Sequence, residues 1–396
     1  MATKLLFLIA DGMGGYPLPE LGGQTTLEAA ATPTLDALAR TGVVGLCRTV
    51  PPGMAPGSDV ANMALLGFDP TVHHTGRGPI EAAAQGIDLA GNDLVFRLNL
   101  VALSEFSQFG VMLDYSAGHI ATDDSRPLIE AMASFAAPFT LYPGVQYRHL
   151  LVYPGQADGP AARLAVRPPH DITGEAIAPD LATLAACPEL YAFMERAAAF
   201  LKSPANATKA ASVWPWGQGR CLALPSFAAS FGLRGAVVTA VDLVRGLGRA
   251  AGMQTLDVPG ATGLLDTNYQ GKVRAALDFL SSGGDFVFVH LEGPDECGHG
   301  GDTAGKIEAI SRFDERIVGP LSAALADTDA ALLVACDHLT PIVKRTHTAD
   351  PVPFLFWKRG LPAAGPAVFS EKTAAASGVV INRGQELVPF VLRQTR

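Results

Sequence analysis

Two residues able to hold a cation, Asp337 and His338, follow seven consecutive apolar residues, 330 to 336. Such a run predicts a buried strand that delivers polar groups to its C-terminal edge, where open parallel sheets bind ligands. Two further apolar runs end in the same way. Leu5 to Ala10 stops at Asp11, and Phe286 to Leu291 leads into Glu292-Gly-Pro-Asp295-Glu-Cys-Gly-His299. Asp295 and His299 are four apart, so a helical turn places both on one face. His347 follows in a loop. Together Asp11, Asp295, His299, Asp337, His338 and His347 offer six oxygen and nitrogen donors and no thiolate. That set suits hard or borderline divalent ions such as Mn2+, Mg2+ or Zn2+. Two such ions ~3.5–4 Å apart can hold both the attacking and the leaving oxygen of a phosphoryl transfer.

The nucleophile such a site needs has a candidate in Ser58, where the Pro/Gly-rich loop 51–57 opens onto an amphipathic helix. A serine there is ordinarily an N-cap. Beside a cation, at the positive end of a helix, its hydroxyl can instead ionise and attack phosphorus. Arg77, in the Gly-rich loop 75–81, suits forked contacts with phosphate or carboxylate. Arg97 and Asn99 interrupt an otherwise apolar strand and share one face, which predicts a pocket wall. Arg148, His149, His170 and Asp171 are further candidate substrate contacts, and each also reads as a solvated surface residue.

The elements that must position these groups alternate as strand and helix, a rhythm that predicts a doubly wound, mostly parallel α/β sheet. The rhythm breaks once. A helix and two short strands, framed by Gly/Pro hinges, predict a smaller inserted α+β cap over 116–179. The catalytic domain then comprises 1–115 and 180–396. Residues 213–219, Val-Trp-Pro-Trp-Gly-Gln-Gly, read as an aromatic and glycine turn.

Bulk properties narrow the function class. A formal charge of −9 with no basic run argues against nucleic acid as a partner. It leaves an anionic substrate open, since bound cations reverse the sign locally. The five cysteines form no C-x-x-C pair, which fits a reducing cytosol better than a disulfide framework or zinc ribbon. The apolar run after Lys4 is too short for a signal segment, and no stretch reaches the ~20 residues of a membrane span. A cytoplasmic protein with no membrane partner is the expectation. The oligomeric state is open.

Several motifs, in order, then carry a resemblance. They are Asp11-Gly-Met-Gly-Gly, Pro56-Gly-Ser58-Asp-Val-Ala-Asn62, Pro169-His170-Asp171-Ile-Thr-Gly174, Asp295-x-x-x-His299, Asp337-His338 and His347-x-Ala-Asp-Pro-Val-Pro. Across essentially the whole chain they resemble the archaeal-type cofactor-independent phosphoglycerate mutases of the alkaline phosphatase superfamily. The resemblance implies an alkaline phosphatase-like core and two divalent ions, Mn2+ foremost with Mg2+, Co2+ and Zn2+ as alternatives. It implies no 2,3-bisphosphoglycerate cofactor. One metal would be held by Asp295, His299 and His347, the other by Asp11, Ser58, Asp337 and His338. Ser58 would take phosphate from 3-phosphoglycerate as phosphoserine and return it to the 2-hydroxyl. Arg77, Arg97, Arg148, His170, Asp171 and Lys272 would handle substrate or protons. Glu292, Pro294 and His119 depart from the pattern where substrate is handled. A related phosphotransferase or phosphohydrolase acting on another alcohol, such as a homoserine kinase, is therefore the alternative, and a metal-binding protein without turnover is the third.

Overall fold

The structure, a computed structural model, describes residues 4–362 and 364–395. Thirteen strands are numbered in chain order among them: β1 (Leu5–Ala10), β2 (Val43–Cys47), β3 (Leu94–Leu103), β4 (Met112–Asp114), β5 (Thr140–Tyr142), β6 (Arg148–Tyr153), β7 (Ser212–Arg220), β8 (Gly235–Val238), β9 (Gln254–Thr255), β10 (Phe286–Leu291), β11 (Ala331–Ala335), β12 (Val352–Lys358) and β13 (Val380–Ile381). They divide between two compact units, 4–74 with 223–395 and 75–222.

The first unit holds an eight-stranded sheet in the order β13-β2-β12-β11-β1-β10-β8-β9. All its pairings are parallel except those of β12, which runs antiparallel to both β11 and β2. β1 is central, and every one of its residues is buried. Burial on both faces is why its sequence is uninterrupted Leu, Phe, Ile and Ala rather than alternating. β1 pairs in register with β10, Ala10 opposite Leu291, and with β11, Ile9 opposite Ala335. Three parallel strands in register must end at one edge. Asp11, the helix Gly293–Gly300 and the 336–340 loop all start there.

The second unit is built on a five-stranded sheet ordered β4-β3-β6-β5, with β7 on the other side of β3. β3 pairs antiparallel with both β6 and β7. Phe96, Leu98 and Leu100 on one face of β3 enter a large apolar core with Phe193, Met194 and Trp214. Val95 on the opposite face packs with Ala82 and Val152.

This unit is larger than the 116–179 insertion expected, for a specific reason. Residues 212–220 are not a turn but the nine-residue strand β7. Its glycines, which suggested a turn, serve the strand. Gly217 takes φ +59° beside a register shift against β3. A Cβ on Gly219 would collide with the Thr75 carbonyl. Because β7 pairs with β3 over residues 94–101, the segment that carries β7 belongs to this unit. Among the described residues, no helix is long and apolar enough to cross a membrane.

Candidate active site

At the shared edge of β1, β10 and β11, Asp11, Asp337 and His338 are buried together. His338 Nε2 lies 3.3 Å from Asp337 Oδ2 and 3.6 Å from Asp11 Oδ1. Ser58 Oγ is 3.1 Å from the same nitrogen. The helix Ser58–Leu65 explains that placement. Its N-cap is Gly57, in extended conformation, so Ser58 is the first helical residue and its hydroxyl caps nothing. The ordinary reading of this serine as an N-cap is thereby corrected. Four residues on, Asn62 donates from Nδ2 to Asp337 Oδ2 at 2.8 Å, tying the helix to the strand edge.

Asp295, His299 and His347 form a second group. His299 Nε2 is 3.3 Å from Asp295 Oδ2, as the four-residue helical spacing predicted. His347 Nε2 is 3.5 Å from Asp295 Oδ1 and 2.8 Å from His299 Nε2. Two sets of ligand atoms each gather within 4.8 Å, Asp11-Asp337-His338 and Asp295-His338-His347. His338 belongs to both, so the two groups adjoin through one imidazole. The expected partition gave His338 to the first group alone.

Electrostatics shows what these atoms lack. Burial raises the Asp11 carboxyl well above the usual carboxylate range, and the charges of Asp337 and Asp295 push it further. The imidazoles around it bring little positive charge. Burial holds His290 down at about 4 and also lowers His338. Neutral His290 donates from Nε2 to Asp11 Oδ2 at 2.9 Å, while Asp11 Oδ1 is buried with no hydrogen-bond partner. Buried carboxylates need a counter-charge. An orphaned oxygen in an all-oxygen-and-nitrogen donor set fits a hard or borderline divalent ion. Burial also opposes charge on Asp295, but hydrogen bonds from His299 and His347 outweigh it and hold Asp295 well below the usual range.

The arginines expected to bind substrate gather in the second unit. Arg97 is buried, 3.2 Å from Glu81, with its guanidinium 4.7 Å from the centre of the Trp216 ring. Arg77 lies 3.9 Å from Glu81 and 5.7 Å from the same ring. His170 packs against Trp216 at 5.3 Å and Tyr115 at 6.1 Å, and Asp171 beside it is exposed. His119 and Arg148 both stand by Tyr147. Asn99, on the face of Arg97, accepts from Trp216 Nε1 at 3.0 Å. Arg77, Arg97 and His170 thus share one aromatic platform. Trp216 gives no sequence signal, because the proline and glycines around it imitate a turn.

Two expected contacts do not join that platform. Lys272 lies in the first unit, buried, with Nζ donating to the His290 carbonyl at 2.8 Å. His149 is fully buried and accepts from the Gly144 amide at 3.1 Å, with its ring held neutral by desolvation. It is a structural residue of β6.

A family model described as 2,3-bisphosphoglycerate-independent phosphoglycerate mutase matches residues 39–206. The chain is 44% identical, over 98% of its length and 99% of the relative's, to a Geobacter sulfurreducens protein named as a probable enzyme of that description. It is 42% identical, over 98% and 99% of the two lengths, to the Methanothrix thermoacetophila protein of the same name. Among solved structures, a Pyrococcus horikoshii protein superposes with a TM-score of 0.82 at 26% identity, covering 100% of this chain and 98% of the other. The cofactor-independent phosphoglycerate mutase of Thermoplasma acidophilum gives 0.66 at 26% identity, with 100% of both chains covered.

Proposed function

The chain belongs to the family of 2,3-bisphosphoglycerate-independent phosphoglycerate mutases, and from that premise we propose how its own residues interconvert 3-phosphoglycerate and 2-phosphoglycerate. The enzyme is an isomerase that uses divalent metal ions. We assign Mn2+ as the ion, with Asp11, Asp337, His338 and Ser58 at one position and Asp295, His299 and His347 at the other. Bound there, the ions supply charge that lowers the pKa of a serine hydroxyl and neutralises phosphate oxygens.

Ser58 Oγ is the nucleophile. The observation that carries this role is its release from capping and its 3.1 Å approach to His338 Nε2 among the buried carboxylates. Attack forms the Oγ–phosphorus bond and breaks the phosphorus–oxygen bond to the 3-oxygen, which takes up, in net terms, the proton given up by Ser58, and the second transfer returns a proton from the 2-hydroxyl to Ser58. Glycerate re-orients and its 2-hydroxyl receives the phosphate, regenerating Ser58. No net proton or water is consumed. Asn62 and His290 orient the carboxylates of Asp337 and Asp11 throughout. Arg77, Arg97 and Arg148 bind the anionic groups of the substrate, and His170 and Asp171 attend its hydroxyls. Lys272 supports His290 from behind rather than touching substrate. The homoserine kinase reading finds no support among these relatives.

The test uses 3-phosphoglycerate without 2,3-bisphosphoglycerate, with enolase reporting 2-phosphoglycerate. Activity is expected to disappear with chelator and return with Mn2+. Ser58→Ala should lose at least ~10^3-fold in turnover and lack the phosphopeptide of the wild type. Release of inorganic phosphate in place of 2-phosphoglycerate would replace this reading with a phosphatase.

A further inference from the structure

Thr340 lies between the two ligand groups and is assigned to neither. Its hydroxyl donates to Asp295 Oδ1, and the same oxygen is 3.2 Å from His338 Nδ1. A hydroxyl carries one proton. Spent on the Asp295 carboxylate, it leaves only lone pairs toward the imidazole, so the second contact is Nδ1–H donating to Oγ1. That fixes which ring nitrogen of His338 is bare. It is Nε2, the atom 3.1 Å from Ser58 Oγ and shared by both ligand groups.

The surroundings hold Thr340 in this position. Lys306 Nζ donates to the Thr340 carbonyl at 2.7 Å and to the Gly14 carbonyl at 3.0 Å, fastening the residue to the loop after Asp11. Gly12 has φ +60°, and a Cβ there would stand 2.6 Å from Thr340 Oγ1. A Cβ on Gly298 would stand 2.7 Å from the Thr340 carbonyl. Room for Thr340 therefore depends on glycine at two points, one in the turn after β1 and one in the helix Gly293–Gly300.

We propose that Thr340 is a positioning residue that locks His338 in its Nδ1–H form and couples Asp295 to it, so that both ligand groups are set in one arrangement. The inference rests on the reading of these residues as cation ligands. Imidazoles that bind metal donate their other N–H to an oriented acceptor, and losing that acceptor typically costs ~10–100-fold in metal affinity or activity. Here the acceptor is a hydroxyl already engaged by a carboxylate of the neighbouring group. The lock thus spans the two groups.

The experiment compares Thr340→Val, which keeps the shape, with Thr340→Ser, which keeps the hydroxyl. In metal-free protein with 15N-labelled histidine, the His338 resonances, assigned by their loss in His338→Gln, should show Nδ1 protonated in wild type and in Thr340→Ser. The tautomer should mix or invert in Thr340→Val. Calorimetric titration with Mn2+ should show weaker binding by ~10-fold or more in Thr340→Val. Its kcat should fall by a similar factor while KM for 3-phosphoglycerate holds, and Thr340→Ser should restore both. Protonated Nε2 in the wild type overturns the proposal without any variant, so a Thr340→Val that fails to fold does not shield it. Equal impairment of the two variants would also overturn it, since packing and not the hydroxyl would then matter. Tautomer and Mn2+ affinity are read independently of turnover. A wild type that binds Mn2+ but makes no 2-phosphoglycerate would therefore count against the mutase reading and not against the lock.

Discussion

The two ligand groups share one imidazole and differ in depth. Asp11, Asp337 and His338 have side-chain exposures of 1%, 0% and 0%, whereas His299 and His347 reach 38% and 22%. Depth decides what stands in for a cation. In the inner group no water reaches the carboxylates and burial strips the neighbouring imidazoles of charge, so Asp11 itself is driven toward its protonated form. In the outer group His299 keeps its proton. The hydrogen bond to Asp295 lifts His299 to about 8 although burial opposes it, and His299 shares a 2.8 Å contact with His347. On the proposed assignment a metal ion would balance the charge of the inner group, whereas the outer group can wait with a proton on His299.

The sharpest way to break this contrast is to neutralise one residue in each group. Asp11→Asn removes an inner carboxylate whose Oδ1 has no other partner. Turnover is expected to fall by at least ~10^3-fold and not to return at millimolar Mn2+. His299→Ala removes an outer donor that solvent can partly replace. Its apparent Mn2+ affinity should fall by ~10–100-fold, with much of the activity recovered at high Mn2+. Both variants are followed by the enolase-coupled assay across a Mn2+ series. Full recovery in Asp11→Asn with none in His299→Ala would reverse the assignment of depth to role.

The site was legible where residue types interrupt a pattern. Asp11 and Asp337 close apolar runs, and Asp295 and His299 share a helical face, so the sequence placed polar groups at strand ends, while the order β11-β1-β10 that brings those ends together came with the structure. Asn62 could have been found too. It is a polar residue one turn after Ser58, in a helix otherwise buried by Val60, Ala61, Met63 and Ala64. His290 was hidden because it lies inside the run Phe-Val-Phe-Val-His-Leu, where one imidazole does not disturb the strand reading. Thr340 and Lys306 left no sequence signal, since apart from His338, two residues before Thr340, their partners are distant in the chain and are backbone or carboxylate oxygens. The extent of the second unit was misread through 212–220. Proline and paired glycines imitate a turn, and only pairing with β3 reveals that the same residues bridge a bulge. Periodicity reports local geometry, and it is silent where long-range packing overrides it.

Lys306 offers the finest probe of the contrast, because it touches the loops of both groups through the carbonyls of Gly14 and Thr340. Burial lowers its ammonium from the ordinary 10.5 to about 8, although the nearby Asp295 opposes the shift. The unfolded chain then binds more protons than the folded one between about pH 8 and 10.5. Stability rises with pH wherever that holds, so the cost of burying the charge is fully present below pH 8 and relieved above it. Lys306→Met removes this titration and leaves the other buried groups, Lys272 included, common to both proteins. Urea unfolding in chelator at pH 7.5, 8.5 and 9.5 should show wild type gaining on the variant by at most about 1.4 kcal/mol per pH unit. A difference that stays flat would mean that the carboxylates of the two groups already neutralise the ammonium. The inner group would then have a protein cation after all, and its dependence on metal would be weaker than its depth implies.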